Sequence, residues 1–292
     1  MSRSCITQTV TRALNPTGGF LRGFAFTLNP YVGCAFGAAG GCPFCYVRAL
    51  PVARAAAPPW GDWVIAKINL PELLGHELAR LDAAGKLRDA AIFMSSATDP
   101  YQGAERTFRL TRRVLESFAR RPPGRILLQT RSPMVERDLD LLKTLRERLI
   151  VSMTMETDDE QVRRALTPTS AGIARRLRTA YRLRDAGVFT QIAIAPMLPN
   201  NPARLSAMVA GAADRVVVDT FFDGDGANGR RSRALGIGEL YERLGYREWF
   251  QPGAERELIA ALRARMGEQR VLFSKDGFND LRNFSTWSGQ AR

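Results

Sequence analysis

Three of the chain's four cysteines lie within one glycine-rich segment. Cys34, Cys42 and Cys45 follow a short β-prone run, and glycines allow a backbone to wrap closely around an inorganic ligand. Cysteine thiolates bind both zinc and iron–sulfur clusters, and a Cys-x-x-Cys pair alone does not distinguish the two. The segment is therefore a candidate metal site.

The number of available ligands distinguishes a zinc site from an iron–sulfur cluster better than the spacing of the cysteines does. A structural zinc ion takes four ligands. The only histidine, His76, is about thirty residues away in a predicted helix, and the fourth cysteine, Cys5, is close to the N-terminus. Three thiolates suit a [4Fe–4S] cluster with one open iron. Zinc completed by His76, Cys5 or water, and thiols without a metal, stay open as alternatives.

Polar side chains follow three apolar runs further along the chain, in residues 95–101, 129–133 and 152–156. Active sites of parallel barrels lie at the carboxyl ends of the strands. Each segment alone is equally compatible with an ordinary turn, in which Asp99 and Ser132 cap helices. Their recurrence in register favours a site.

Short β-prone runs alternate with amphipathic stretches from Phe24 onward, which indicates βα units and a parallel sheet in a barrel or partial barrel. We interpret residues 1–23 as an N-terminal arm, 24–222 as the barrel and 223–292 as an extension that caps or completes it. Strands are predicted at 24–28, 91–95, 125–130, 150–155, 190–195, 215–221 and 271–273. Helices are predicted at 72–84, 104–120, 137–148, 173–186, 203–212 and 254–266.

The acidic, glycine-rich segment 223–229 interrupts this alternation and is predicted to be a long loop. Its spacing has some similarity to a calcium-binding loop. The glutamate that such a loop needs at its twelfth position is absent, because Ala234 stands there. We therefore do not expect calcium binding.

The composition is that of a folded globular protein with excess positive charge. Hydrophobic residues make up 45% and charged residues 24% of the 292 positions. The net charge of +13, with five arginines before the first acidic residue, Asp62, favours nucleic acid or another anion as substrate or partner.

No apolar run approaches the roughly 20 residues that span a bilayer, and the first residues lack the apolar centre of a signal peptide. We expect no membrane partner and a cytoplasmic location, where thiols stay reduced and structural disulfides are rare.

Several motifs in consistent order resemble the radical S-adenosylmethionine (SAM) superfamily, and within it the spore photoproduct lyase-like branch. They are N-P-Y-x-G-C at 29–34, the segment 63–78, T-D-P-Y-Q at 98–102, T-R-S-P at 130–133 and R-D-L-D-L-L at 137–142. The resemblance covers about residues 24 to 222. One departure is the spacing Cys-x7-Cys-x2-Cys, since the family usually places three residues between the first two cysteines.

The resemblance implies a partial (β/α)6 TIM-like barrel in which Cys34, Cys42 and Cys45 hold a [4Fe–4S] cluster and SAM binds its open iron. Reductive cleavage of SAM would give a 5′-deoxyadenosyl radical that abstracts hydrogen from an unidentified substrate, in a lyase or oxidoreductase reaction. A reductant such as flavodoxin or ferredoxin is the implied partner.

The resemblance also implies SAM contacts, carried over by position. Tyr46 and the backbone of Ala195 would border the adenine, and polar residues would hold the other groups. The full implied set is Tyr46, Ser96, Thr98, Asp99, Arg131, Ser152, Thr154 and Ala195.

Within that set, the polar pair Thr98 and Asp99 would hold the SAM amino group. Arg131 would pair with the SAM carboxylate, because a planar guanidinium suits bidentate contact. Ser152 or Thr154 would reach the ribose.

No hydrogen donor is identified. Spore photoproduct lyase uses a cysteine beside the polar pair, where this chain has Ala97, so thymine-dimer repair by that route is not expected. Tyr101, Tyr181 and Tyr241 are candidates by side-chain chemistry alone. Two non-catalytic functions stay open as alternatives: a zinc-stabilised nucleic-acid-binding protein and an iron–sulfur protein that does not cleave SAM.

Overall fold

Eleven strands and eleven α-helices occur in the computed structural model, which describes residues 4–34, 36, 41–55 and 59–281. The strands are β1 Ser4–Gln8, β2 Asn15–Pro16, β3 Phe26–Leu28, β4 Tyr31–Gly33, β5 Trp63–Lys67, β6 Ala91–Met94, β7 Arg125–Thr130, β8 Leu149–Thr154, β9 Phe189–Ile194, β10 Arg215–Val218 and β11 Val271–Phe273. The helices are α1 Leu70–Ala83, α2 Glu105–Phe108, α3 Leu110–Arg120, α4 Leu139–Leu145, α5 Glu160–Leu166, α6 Ile173–Asp185, α7 Pro202–Ala210, α8 Arg230–Ala234, α9 Ile237–Arg243, α10 Arg256–Met266 and α11 Ser274–Asn279.

The main sheet has the order β2-β3-β6-β7-β8-β9-β10-β11. All neighbours in it are parallel except β2 and β3. A second sheet, β1-β5-β4, carries the start of the cysteine segment. The α/β class with a parallel sheet, predicted from the alternating pattern, is confirmed.

Side chains on the parallel strands alternate between two cores, because successive residues of a strand point to opposite faces. On β7, Ile126 and Leu128 pack in the larger core, which includes residues of the helices. Leu127, between them, packs in a smaller cluster with Phe93 and Val217 of other strands. Both faces of the sheet are buried, which explains the nearly continuous apolar runs of these strands.

The two edges of the main sheet are joined near α11. The Asn279 side-chain amide donates to the Phe20 carbonyl at 2.6 Å, and the Gly23 N–H donates to the Asn279 Oδ1 at 2.6 Å. The rings of Phe20 and Phe278 lie 6.0 Å apart. Strand β11 and helix α11, from the predicted C-terminal extension, therefore belong to the barrel, while the domain boundaries themselves stay predictions.

Four predicted elements differ in the structure, and one of them is the helix predicted over 137–148, which is α4 Leu139–Leu145 preceded by a 3₁₀ helix at Pro133–Asp138. The helix predicted over 104–120 is interrupted at Arg109, whose φ is 50°, because the Glu105 carboxylate accepts the N–H groups of Thr111 (2.9 Å) and Arg112 (3.3 Å) and so begins a new helix. Strand β10 ends at Val218, three residues early. Residues 4–8 of the predicted arm form β1, which pairs with β5.

Among the described residues, no helix combines the length and the apolar character needed to cross a membrane.

Candidate functional site

A cavity of about 470 Å³ lies at the carboxyl ends of the parallel strands. It is lined by all three clustered cysteines and by seven of the eight residues that the sequence assigned to SAM. These residues come from well-separated parts of the chain, which only the barrel brings together. The predicted residues on the cavity surface are Cys34, Cys42, Cys45, Tyr46, Ser96, Thr98, Asp99, Arg131, Thr154 and Ala195.

Ser152 is the predicted residue that does not line this cavity. It is fully buried inside the barrel, where its hydroxyl accepts a hydrogen bond from the Gln191 side-chain amide at 2.8 Å. The side-chain oxygen of Gln191 accepts in turn from the Arg215 Nε at 2.7 Å. Of the two residues suggested for the ribose, Thr154 is the one on the cavity surface.

The start of the cysteine segment is fixed by Gly33, whose φ of 84° favours glycine. A Cβ at this position would lie 2.4 Å from the Trp63 carbonyl oxygen, so only glycine allows β4 to approach β5 this closely. The Thr98 hydroxyl and the Gln102 side-chain amide both donate to the Gly33 carbonyl. Thr98 therefore anchors the backbone directly before Cys34.

The thiols are largely removed from water. Burial raises the pKa of Cys34 to about 12 and also raises the pKa of Cys45. The Arg131 Nη1 donates to the Cys42 sulfur at 3.0 Å, which places a positive charge beside the ligand set. Residues 35 and 37–40 of the predicted seven-residue spacer lie outside the described residues.

No three His, Cys, Asp or Glu side chains of the described residues are grouped closely enough to hold a single metal ion. The two further ligands considered for zinc are both on exposed surface: His76 on α1 and Cys5 on β1. Neither lines the cavity.

Asp99 connects the ends of β6 and β7. Its Oδ1 accepts from the Tyr101 N–H and the Thr130 hydroxyl, each at 2.8 Å, and its Oδ2 accepts from the Arg131 N–H at 2.8 Å. Burial raises the pKa of Asp99, and these hydrogen bonds oppose that shift. The carboxylate therefore fixes the backbone that carries Arg131.

Glu156 lies behind this network and was not assigned from the sequence. It is fully buried, with its carboxylate 3.3 Å from the Arg131 Nη2 and 2.6 Å from the Arg176 Nη1. Arg176 also donates to the Thr154 carbonyl at 2.9 Å. Burial alone would raise the pKa of Glu156, but the two arginines hold it below its ordinary value. Its position at the end of the polar segment 152–156 was the available signal.

The glycine-rich loop after β10 is organised around Asp225. The Asp225 carboxylate accepts the N–H groups of Ala227, Gly229, Arg231 and Ser232, at 2.7 to 3.1 Å. The Arg231 guanidinium donates to the Asp225 carbonyl at 2.7 Å. The lining residues between 219 and 232 form one surface of the cavity, called here the 219–232 wall.

Asp219 is a second residue that the sequence did not single out. It is 5% exposed and lines the cavity at the end of β10, with its Oδ1 accepting the Thr220 N–H at 2.9 Å. Burial raises the pKa of Asp219 to about 7, although the Ser274 hydroxyl and the Thr220 N–H act in the opposite direction. The sequence prediction placed Asp219 inside a strand over 215–221, and so missed that it directly follows the end of the strand.

The three tyrosines considered as hydrogen donors do not line the cavity. Tyr101 is buried beside Asp138, Tyr241 packs against Phe221 with its ring centroid 5.5 Å away, and Tyr181 is exposed on α6. Tyr46 does line the cavity, and its hydroxyl donates to the Ser96 carbonyl.

Comparisons with known proteins agree with this geometry. The model of the Radical SAM superfamily matches residues 28–209. The chain is 30% identical over 189 residues to an uncharacterized protein of Methanocaldococcus jannaschii, covering 65% of this chain and 66% of that protein. It is 28% identical over 187 residues to an uncharacterized protein of Acidianus two-tailed virus, covering 61% and 58%. The chain thus matches less than two thirds of the length of these curated relatives.

Among solved structures, spore photoproduct lyase complexed with dinucleoside spore photoproduct has a TM-score of 0.64 and 13% identity. A mutant of that lyase with bound AdoMet has a TM-score of 0.63 and 12% identity. Each alignment covers 92% of this chain and 81% of the other. The likeness shows the fold and confirms the predicted partial barrel.

Proposed function

Because the chain belongs to the radical SAM superfamily, whose enzymes use a [4Fe–4S] cluster and SAM, we propose that Cys34, Cys42 and Cys45 hold the cluster. The observation that carries this proposal is the convergence of the three thiols with the predicted SAM residues on one cavity. A donor set of three thiols fits a cluster with one iron free for another ligand. The family membership favours this proposal over the non-catalytic zinc-stabilised protein and the iron–sulfur protein that does not cleave SAM.

When bound, the cluster and SAM supply a 5′-deoxyadenosyl radical that can remove a hydrogen atom from a substrate. Arg131 would bind the SAM carboxylate. Its guanidinium is held from one side by Cys42 and from the other by Glu156, so its orientation is set before SAM arrives. A cation that is already oriented loses less entropy on binding than a free side chain does.

The other SAM contacts follow from the same cavity. Ser96, Thr98 and Asp99 would surround the amino group, since all three line the cavity at the end of β6. The Thr98 hydroxyl donates its hydrogen to the Gly33 carbonyl and accepts from the Gln102 side-chain amide at 3.1 Å, which leaves its second lone pair to accept from an ammonium group.

For the nucleoside part of SAM, Thr154 would contact the ribose and Tyr46 and Ala195 would border the adenine. Thr154 already accepts a hydrogen bond from the Gln129 side chain at 2.7 Å, which fixes its hydroxyl. We give Ser152 a supporting place inside the barrel, where it contacts Gln191.

We also propose an electron donor such as flavodoxin or ferredoxin, and an anionic substrate, with nucleic acid as one candidate. The net charge of +13 supports both, because a positive surface attracts acidic proteins and polyanions alike.

The test is anaerobic reconstitution with iron and sulfide. We expect broad visible absorption typical of an iron–sulfur protein and, with dithionite and SAM, formation of 5′-deoxyadenosine. Cys42→Ser should abolish both, whereas the matched control Cys5→Ser, which changes an exposed thiol outside the cavity, should retain both. Stoichiometric zinc without iron, or a loaded cluster that forms no 5′-deoxyadenosine, would contradict the proposal.

A further inference from the structure

The 219–232 wall lies beyond the residues that the family model matches, which end at 209. The thiols and the assigned SAM contacts all fall inside the matched range. Together with Gly18, Phe20, Leu21 and Phe278, the wall is the part of the cavity that common family chemistry does not account for, and its residues are candidates for setting substrate choice.

Asp219 differs in its charge environment from the other carboxylates around the cavity. Asp99 is bonded to three donors, Glu156 contacts two arginines, and Asp225 accepts four backbone N–H groups. Within the described residues, no lysine or arginine forms an ion pair with Asp219. Burying a carboxyl group without a cation costs free energy, so the presence of a buried aspartate at position 219 requires an explanation.

Among the described residues, the neighbours that act most strongly on Asp219 are neutral or negatively charged. The Ser274 hydroxyl is its neighbour from α11, and the nearby Asp223 and Asp225 carboxylates further disfavour its ionised form. Gly224 packs so closely that a Cβ there would lie 2.2 Å from the Asp219 Oδ2. The loop thus shields Asp219 from bulk water but leaves it on the cavity surface.

Aromatic side chains complete this part of the cavity. Phe20, Phe93 and Phe278 all line it, and they belong to three segments that pack together inside the barrel. An apolar surface beside one carboxyl group that has no ion pair among the described residues matches a ligand with an apolar body and one polar end.

We propose that Asp219 binds the polar end of the substrate and that this end is an N–H donor, an amine or an amide, on an apolar body. The proposal rests on the function proposed above and names a substrate class for the same cavity. The positive surface and Arg231 then attract an anionic substrate from outside, while the group that reaches Asp219 is neutral or cationic. The raised pKa of Asp219 agrees with a carboxyl group that lacks its partner until the ligand arrives.

The test uses three small aromatic probes that differ in their polar group: benzylamine, benzamide and benzoate. Binding is measured by calorimetry at about pH 8, where most of the Asp219 population is ionised. The protein is cluster-loaded and SAM-bound but not reduced, so that SAM stays intact. We expect wild type to bind benzylamine and benzamide in preference to benzoate.

Asp219→Asn should weaken benzylamine binding by at least about tenfold, because the ammonium group then meets a neutral amide oxygen and loses the attraction of the carboxylate charge. The matched control Asp185→Asn removes an exposed carboxylate at the end of α6, outside the cavity, and should keep benzylamine affinity within about twofold. A thermal unfolding curve of each variant establishes that it is folded.

Equal affinity for benzoate, or an Asp219→Asn variant that binds benzylamine like wild type, would overturn the proposal. A variant whose only defect is weaker SAM binding would also overturn it and would assign Asp219 to the SAM site. Failure of the proposed function is seen separately, as absence of 5′-deoxyadenosine from the reduced enzyme, whereas these binding measurements need no turnover.

Discussion

Two surfaces of the same cavity differ in whether their buried charged groups have oppositely charged partners. On the cysteine side, Arg131 is in contact with Cys42 and Glu156, and Glu156 is also paired with Arg176. On the 219–232 wall, Asp219 is equally buried but has no cationic partner among the residues that the structure describes. The first arrangement is complete before any ligand binds, whereas the second leaves one charge to be neutralised by a ligand.

The largest effect is expected from Glu156→Gln, which breaks the compensated side. Arg131 and Arg176 would lose their shared carboxylate, and Arg176 is fully buried. Removing one partner of a buried ion pair costs roughly 3 to 5 kcal/mol. We expect urea unfolding of the apo protein to show a loss of this size.

The control for that experiment is Glu242→Gln, which alters an exposed carboxylate on α9. Its stability should stay within about 0.5 kcal/mol of wild type. If Glu156→Gln were as mild as this control, the cysteine side would not depend on its buried charges.

Asp219→Asn should instead increase the stability of the protein. The pKa of Asp219 is raised to about 7, so the native state binds this proton more tightly than the unfolded chain does. The associated stability is present below about pH 4 and is lost as the pH rises through about 7. An asparagine cannot ionise, so at about pH 8 the variant should be more stable than wild type by up to about 4 kcal/mol.

The measurement is urea unfolding of both proteins between about pH 4 and pH 8. The advantage of Asp219→Asn should shrink toward low pH, where wild-type Asp219 is neutral as well. Asp185→Asn, at an exposed position of α6, should show no comparable trend. A constant difference at every pH would mean that the Asp219 charge is compensated after all, and the comparison of the two surfaces would fail.

The sequence predicted those elements whose signal is local. Strand β7 was predicted with both ends correct because a run of aliphatic residues is bounded by Gly124 and by polar residues. The end of β10 was missed because the β-prone Phe221 was included in the predicted strand, although the polar Asp219 and Thr220 already follow the last strand residue, Val218. Strand β1 was missed because it is stabilised by pairing with β5, more than fifty residues away, which no local pattern reveals.

The residues of the site likewise fall into those that local sequence signals reveal and those that they do not. The three cysteines and the polar strand ends could be found from residue type and spacing. The partners of Glu156 could not, because Arg131 and Arg176 reach it from separate elements. The sequence also could not show that Asp219 forms no ion pair within the described part of the chain, since a net charge of +13 gives no reason to expect an acid without a cationic partner.

A smaller effect is expected from Arg131→Lys on the cysteine side. An ammonium group keeps the charge but cannot span Cys42 and Glu156 as the planar guanidinium does. We expect the KM for SAM in 5′-deoxyadenosine formation to rise by roughly 10- to 100-fold. The same substitution at the exposed Arg178 of α6 is the control and should leave this KM unchanged. An unchanged KM in Arg131→Lys would separate Arg131 from SAM binding.

The smallest effect is expected from Thr98→Val, which keeps the side-chain shape and removes only the hydroxyl. The Gly33 carbonyl would then accept from Gln102 alone, at 3.3 Å, and the apo protein should lose roughly 0.5 to 1.5 kcal/mol of stability. Because Gly33 precedes Cys34, we also expect the reconstituted cluster to be lost faster to a chelator. A higher KM for SAM in the same variant would show that Thr98 contacts SAM as well, whereas an unchanged KM would limit it to anchoring the cysteine segment. An unchanged KM would leave Arg131 as the main SAM contact on the cysteine side. Ligand binding would then depend more strongly on the 219–232 wall.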